Sequence, residues 1–528
     1  MQGKFTFDIR VAVCFFFIML GFLSCVLRVA VITSGNYSAV QTEQSSYRLE
    51  IGSIRGTIFD TNKISLTNSQ SSIIAAVIPN SVSAEWLLDA VDPDERENVS
   101  NKLNGSAPFV TEITHNIELD GVATTTYYNH TLNEKSLCHI IGYVGNDLHG
   151  ISGLEKAYDD LLYSKDGASA IFKINGRGEV LKGEEITIEN DTKKIASGVV
   201  STIDINIQTA LDEATADMEK GAAIVIEPKS GKIRGMISRP YFDIENVATY
   251  FERDDSPLIN RCLSAYNVGS VFKPCVAAAA LEAGTNDYYT DCKGYETIAD
   301  RKFACHKREG HGIVDLFGAI GQSCNVFFYN LAAEIGAEKI YNMASSLGFG
   351  NSLKLSEGIF SVSGNLTDLS LLENSAELAN LSIGQGKLLL SPVSVISLYC
   401  AIANGGCYVL PSITEGILTE GAFTANQPIA PTRVMSDGTA KKLTEFLKGV
   451  VTDGTGTAAN PKNTTAAGKT ATAQTGRYKN GIEITHSWFC GFFPAESPRY
   501  AVCVMVEEGG GSAEIFSKIA DGIIEKGF

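Results

Sequence analysis

A chain of 528 residues is longer than one ordinary hydrophobic core supports, so two or three domains are expected. A hydrophobic content of 44% with 20% charged residues excludes a disordered chain, and the net charge of −17 argues against nucleic acid as a partner. The twelve cysteines include no Cys-x-x-Cys pair and the seven histidines no His-x-x-x-His or Cys/His cluster. Neither a zinc site nor a dense disulfide framework is therefore predicted, and no metal or cofactor is expected.

Val11 to Leu27 is a run of seventeen uncharged residues, followed by Arg28 and then Val29 to Ile32. This length is near the lower limit for crossing a bilayer, and Arg28 is able to reach the interface along its aliphatic stem. No small-x-small cleavage site follows, so residues 1–32 are predicted to be a short cytoplasmic tail and an uncleaved anchor, with the bulk of the chain outside. Thr33 to Arg48 is polar and reads as a linker or stalk. Ser53 to Asp60, a turn at Thr61-Asn62-Lys63, and Ile64 to Leu66 predict two strands.

A helical stretch is expected near Ala84 to Leu103, amid short strands, and residues 33–190 form a mixed pedestal or docking domain without a titratable constellation. The last domain, residues 195–528, opens with a strand over Val199 to Asp204 and a helix over Ile207 to Met218. Strands Ala222 to Ile226 and Ile233 to Ile237 flank a Pro/Gly turn. Helices occupy the middle, and strands return at Ala467 to Gln474, Ser487 to Phe493 and Tyr500 to Glu507 before a helix from Ala513 to Ile524. A sheet built from both ends of a domain, with helices between, predicts an α+β or α/β sandwich.

Within that domain Ser270-Val271-Phe272-Lys273-Pro274 stands after Gly269 and before the apolar run Cys275 to Leu281. Pro274 is tolerated only near a helix start, so the serine belongs at a loop-to-helix junction. On a helix, positions i and i+3 share a face, which sets the Lys273 amine beside the Ser270 hydroxyl. A serine becomes a nucleophile when a neighbouring base takes its proton, and a desolvated lysine is such a base. It is the only Ser-x-x-Lys in the chain, although such a pair alone is usually a solvated serine and lysine.

Ser323-Cys324-Asn325 and Lys469-Thr470-Ala471-Thr472 follow, 53 and 146 residues further on. Taken in order, the three signals resemble the Ser-x-x-Lys, Ser-x-Asn and Lys-Thr/Ser-Gly pattern of penicillin-binding transpeptidases and serine β-lactamases. Ser-x-Asn also occurs at Ser34-Gly35-Asn36 and Ser363-Gly364-Asn365, so order and spacing carry the weight. Lys229-Ser230-Gly231 matches the third signal literally, but it precedes the serine and reads as a hairpin turn. Arg55-Gly56-Thr57-Ile58-Phe59-Asp60, Gly153-Leu154-Glu155, Gly384-Gln385-Gly386 and His486-Ser487-Trp488 extend the resemblance to class B penicillin-binding proteins along the whole chain. It departs at Val268, where proline is usual, and at Ala471, where glycine is usual and whose methyl is expected to crowd the strand against its neighbours or the substrate.

The resemblance implies a transpeptidase sheet sandwiched by helices behind an anchor and pedestal, and a D,D-transpeptidase that cross-links peptidoglycan stem peptides. In that scheme Ser270 attacks the penultimate D-Ala of a D-Ala-D-Ala stem peptide, with Lys273 as general base. Ser323 relays a proton, Asn325 orients Lys273 and a substrate amide, and Lys469, Thr470 and Thr472 hold the terminal carboxylate. Ala471 lies in the same substrate strand, and the backbone N–H groups of Ser270 and Thr472 form the oxyanion hole. The implied partners are stem peptides, β-lactams, the membrane and a multi-span glycosyltransferase. A β-lactamase or β-lactam sensor of the same fold and a catalytically weakened wall-synthesis scaffold are the alternatives.

Overall fold

In a computed structural model, residues 9–34, 45–79, 82–164 and 167–528 are described. The N-terminal apolar run is a single helix, Ile9–Ser34. Within it Val11–Thr33 is long and apolar enough to cross a membrane. Part of the expected linker, residues 35–44, lies outside the described residues, while Ser46–Gly52 at its end is a strand.

The folded chain forms two compact units. The smaller comprises residues 1–54, 70–129 and 165–191, and the larger residues 55–69, 130–164 and 192–528. The division departs from a continuous domain over residues 33–190, because Arg55–Ser69 and His130–Ser164 fold into the larger unit. Thr57–Phe59 pairs in parallel with Gly198–Ser201, in a four-stranded sheet that also holds Thr414–Thr419 and Ala422–Ala425. Arg55 and Glu155, which the sequence singled out separately, meet there: Arg55 Nε donates to Glu155 Oε2 at 2.5 Å and Nη2 to the Glu155 carbonyl at 2.9 Å. Both side chains are buried, so each charge is compensated by the other.

The smaller unit contains two three-stranded sheets. Its expected long helix is broken into Ala84–Ala90 and Arg96–Leu103, because Pro93 starts a separate turn of 3-10 helix between them.

The larger unit is centred on a five-stranded antiparallel sheet in the order Ile233–Arg239, Gly221–Ile226, Tyr500–Glu507, Ile482–Phe493, Ala467–Lys479. Strands from the two ends of the domain thus lie side by side, as the sequence predicts. The strand at Gly198–Ser201 does not join this sheet. Alternation along the strands serves two cores. Ile224, Trp488, Cys490 and Met505 face one, with the helices Lys273–Glu282 and Pro392–Ala403. Val225, Phe489, Val504 and Phe493 face the other, with Ile205–Ala214 and Ser512–Glu525. A strand buried on both faces needs apolar residues at successive positions, and residues 500 to 506 of Tyr500–Glu507 supply them.

Candidate active site

Gly269–Phe272 is a turn of 3-10 helix that runs directly into the helix Lys273–Glu282, with Pro274 in its first turn. Ser270 is therefore held at a helix entrance, half-buried, on the wall of a cleft of about 750 Å³. The turn is pinned from several directions. The Gly269 N–H donates to the Gly384 carbonyl at 2.8 Å, Tyr399 Oη donates to the Val271 carbonyl at 2.9 Å, and Trp488 Nε1 donates to the Asn267 carbonyl at 3.0 Å. Gly384 has φ +73°, and a Cβ there would stand 2.0 Å from the Gly269 carbonyl oxygen, so no larger residue fits.

Lys273 is fully buried. Its Nζ donates to the Ser323 carbonyl at 2.7 Å and to Asn325 Oδ1 at 2.7 Å, and lies 3.2 Å from Ser323 Oγ. Burial lowers the amine from the ordinary 10.5 to about 7, against a smaller opposing effect of Cys324 and Cys305. A neutral amine has two N–H donors, and the two carbonyl acceptors use both. Its lone pair is left for a hydroxyl proton. Ser323 adopts φ +54°, a left-handed conformation uncommon for serine, just before the helix Asn325–Ile335.

Lys469 is also fully buried, on the edge strand, and donates to the Thr470 carbonyl at 3.1 Å. Burial first, and then the charge of Lys273, pushes its amine well below the ordinary value. Thr472 and Gln474 line the same cleft as Ser270 and Asn325. The Thr470 hydroxyl pairs with Thr455 at 2.9 Å. Ala467–Lys479 ends the sheet, and Thr472 and Gln474 are exposed on it.

The fold thus brings Ser270, Lys273, Ser323, Asn325, Lys469, Thr470 and Thr472 to one end of the sheet. Ala471 is placed differently. It is 6% exposed and faces inward, and a Cβ built on Gly269 would lie 3.4 Å from its methyl. The cleft is also lined by Lys302, Phe303, His306 and Arg308, which no sequence motif marked.

The expectation that no Cys/His cluster exists is corrected. Cys292, Cys305, His311 and Cys324 bring one ligand atom each to within 4.8 Å of one another, directly behind Asn325. Successive members are separated by 12, 5 and 12 residues, so no Cys-x-x-Cys knuckle announces them.

The family model for the penicillin-binding protein transpeptidase domain matches residues 221–525. Among relatives, stage V sporulation protein D of Bacillus subtilis is 29% identical over 89% of this chain and 76% of its own length. The peptidoglycan D,D-transpeptidase MrdA of Acinetobacter baumannii is 29% identical over 75% of this chain and 65% of its own. The D,D-transpeptidase domain of a peptidoglycan glycosyltransferase from Eggerthella lenta superposes with a TM-score of 0.65 at 25% identity, covering 90% of this chain and 99% of that one. Penicillin-binding protein 3 of Mycobacterium tuberculosis in complex with ampicillin has the same fold, with a TM-score of 0.66 at 22% identity over 91% and 96% of the two chains. The chain belongs to the penicillin-binding protein transpeptidase family and, within it, to the class B D,D-transpeptidases, which are serine acyl transferases.

Proposed function

We propose that this chain cross-links peptidoglycan stem peptides through an acyl-enzyme on Ser270. The observation that carries the reading is Lys273, a buried amine held near 7 whose two donors are engaged by Ser323 and Asn325. In the first step the Ser270 Oγ bonds to the carbonyl carbon of the penultimate D-Ala, and the hydroxyl proton passes to Lys273. The C–N bond to the terminal D-Ala then breaks, and the proton leaves with that amine by way of Ser323. In the second step the amine of a neighbouring stem peptide attacks the ester, gives up a proton along the reverse path, and releases the Ser270 hydroxyl.

The N–H groups of Ser270 and Thr472 receive the oxyanion in both steps. Lys469, Thr470 and Thr472 take the terminal carboxylate. That charge is shared by D-Ala-D-Ala and penicillins, which is why β-lactams are expected to acylate the same serine. The helix Ile9–Ser34 anchors the chain in the cell membrane with the bulk outside the cytoplasm, and the smaller unit serves as a docking module. A class B enzyme makes no glycan, so a multi-span membrane glycosyltransferase is the partner that supplies strands.

The test is labelling of the full chain in detergent with a fluorescent penicillin. Stable labelling lost in Ser270→Ala is expected. Rapid release of the label would point to a β-lactamase, and no labelling of the native chain would leave the scaffold reading in its place.

A further inference from the structure

The cleft that holds Ser270 has a volume of about 750 Å³, well beyond what two alanine residues fill. In the proposed reaction part of it is taken: Lys469, Thr470 and Thr472 hold the terminal carboxylate, and Ser270 meets the next carbonyl. The earlier residues of the donor peptide therefore lie in the rest of the cleft, among Gln474, Thr475, Tyr329, Lys302, Phe303 and Arg308. Lys302 and Arg308 put two cations on that wall, in a chain whose net charge is −17. Glu483 is the one acidic side chain among the described lining residues, and it accepts from Gln474 Nε2 at 2.6 Å.

Neither cation is neutralised elsewhere. Among the described residues Lys302 and Arg308 form no ion pair, and both side chains are exposed. The Lys302 Nζ lies over the Tyr295 ring, 4.5 Å from its centroid, a contact that leaves the charge uncompensated. The backbone beneath them is fixed to the helix Asn325–Ile335. Arg301–Ala304 pairs with Tyr295–Ile298, and the Ala304 carbonyl accepts from Asn325 Nδ2 at 3.4 Å and from Tyr329 Oη at 3.3 Å. Phe303 packs edge-on against Tyr329, with ring centroids 5.6 Å apart. Gly294, at φ +90°, closes the base of this hairpin, and a Cβ there would stand 1.9 Å from the Arg308 carbonyl oxygen. Both cations are thereby carried on backbone anchored to Asn325, a partner of Lys273.

We propose that Lys302 and Arg308 are specificity-determining residues that bind a second carboxylate of the donor stem peptide, carried by one of the residues before D-Ala-D-Ala. The inference rests on the reading of Ser270 as nucleophile. The planar Arg308 guanidinium meets a carboxylate with two parallel N–H donors, and Lys302 adds a point charge. A cleft wall of one sign also raises the local concentration of an anionic substrate. A stem peptide with a free carboxyl at that position is thus preferred over one whose carboxyl is amidated.

The test compares benzylpenicillin with its α-carboxy derivative, each competing with a fluorescent penicillin for the full chain in detergent. The two differ by one carboxylate on the side chain, which takes the place of the residues before the penultimate D-Ala. The readout is the ratio of the two acylation rates, which a general loss of activity does not move. That ratio should fall by about fivefold or more in the double variant Lys302→Ala, Arg308→Ala, and further when Arg308→Glu adds a repelling charge. If the variants fail to fold, salt decides on the native chain. The ratio is expected to fall between about 0.05 and about 0.5 M salt, because the added contact is exposed and screened, while the contribution of Lys469 is common to both penicillins and cancels. A ratio that neither the variants nor salt move overturns the carboxylate site and leaves Ser270 as nucleophile. A native chain that takes up no penicillin overturns the Ser270 reading itself, and the site with it.

Discussion

With Lys273 as the proposed base, its amine sets the pH response expected of the first chemical step. Its amine is near 7, so the neutral base is complete above that value and is lost as the pH falls through it. The acylation rate by penicillin should be level above about pH 8 and roughly tenfold lower at about pH 6. A rate that stays level throughout would remove Lys273 as the base. Ala471 is a second residue with a definite expectation. Its methyl is buried against Gly269 and does not face the cleft, so the crowding expected from the sequence falls on the strand's neighbours, where Gly269 has made room. Ala471→Gly should therefore cost about 1 kcal/mol in stability through a flexible backbone and a small void, and change acylation by less than about threefold. Thermal melting and labelling rates separate the two effects. A large gain in labelling would show that the methyl does reach the substrate.

Elements hold the serine through contacts that join distant parts of the chain. Arg261 Nε donates to Glu507 Oε1 at 2.9 Å, and Tyr266 Oη donates to the same oxygen at 2.8 Å, which ties the segment before Ser270 to the central strand Tyr500–Glu507. Arg261 is 3% exposed. Glu507→Gln keeps an Oε1 acceptor but removes the charge that compensates the buried guanidinium, which is left with neutral carbonyl oxygens, among them those of Ser256 and Asp255, and should cost about 2–3 kcal/mol. A melting temperature equal to that of the native chain would show that those carbonyls suffice. Such a pair, 246 residues apart in the chain, has no signature in sequence. Ser270 and Lys273 do, because a hydroxyl and an amine one helical turn apart are a local pattern that helical spacing exposes. Of the central sheet, Gly221–Ile226 and Tyr500–Glu507 were equally legible from their apolar runs. The Cys292 cluster was not. Its members lie on separate hairpins and a helix start, and only tertiary pairing brings them together. The break at Pro93 was readable, yet the amphipathic pattern on either side masked it.

At the scale of the molecule, the transpeptidase does not begin where the sequence changes character. Ile58, Leu66, Leu137, Ile140, Ile141, Leu154 and Leu162 lie in the same core as Val268, Phe272 and the helix that carries Lys273, and each is at most 2% exposed. A fragment of residues 195–528 lacks all seven, together with the strand Thr57–Phe59 that covers the edge of Gly198–Ser201. At about 1.5–3 kcal/mol for each buried side chain, the loss is on the order of 10 kcal/mol, comparable to the whole stability of a domain. The fragment is expected to be aggregated or protease-sensitive and to take up no fluorescent penicillin. A chain that starts at Ser53 and keeps residues 55–69 and 130–164 is expected to melt cooperatively and to label. Equal melting and labelling by the two would mean that the core closes without the earlier segments. Their place in the larger unit would then be docking onto a finished domain, not completion of it.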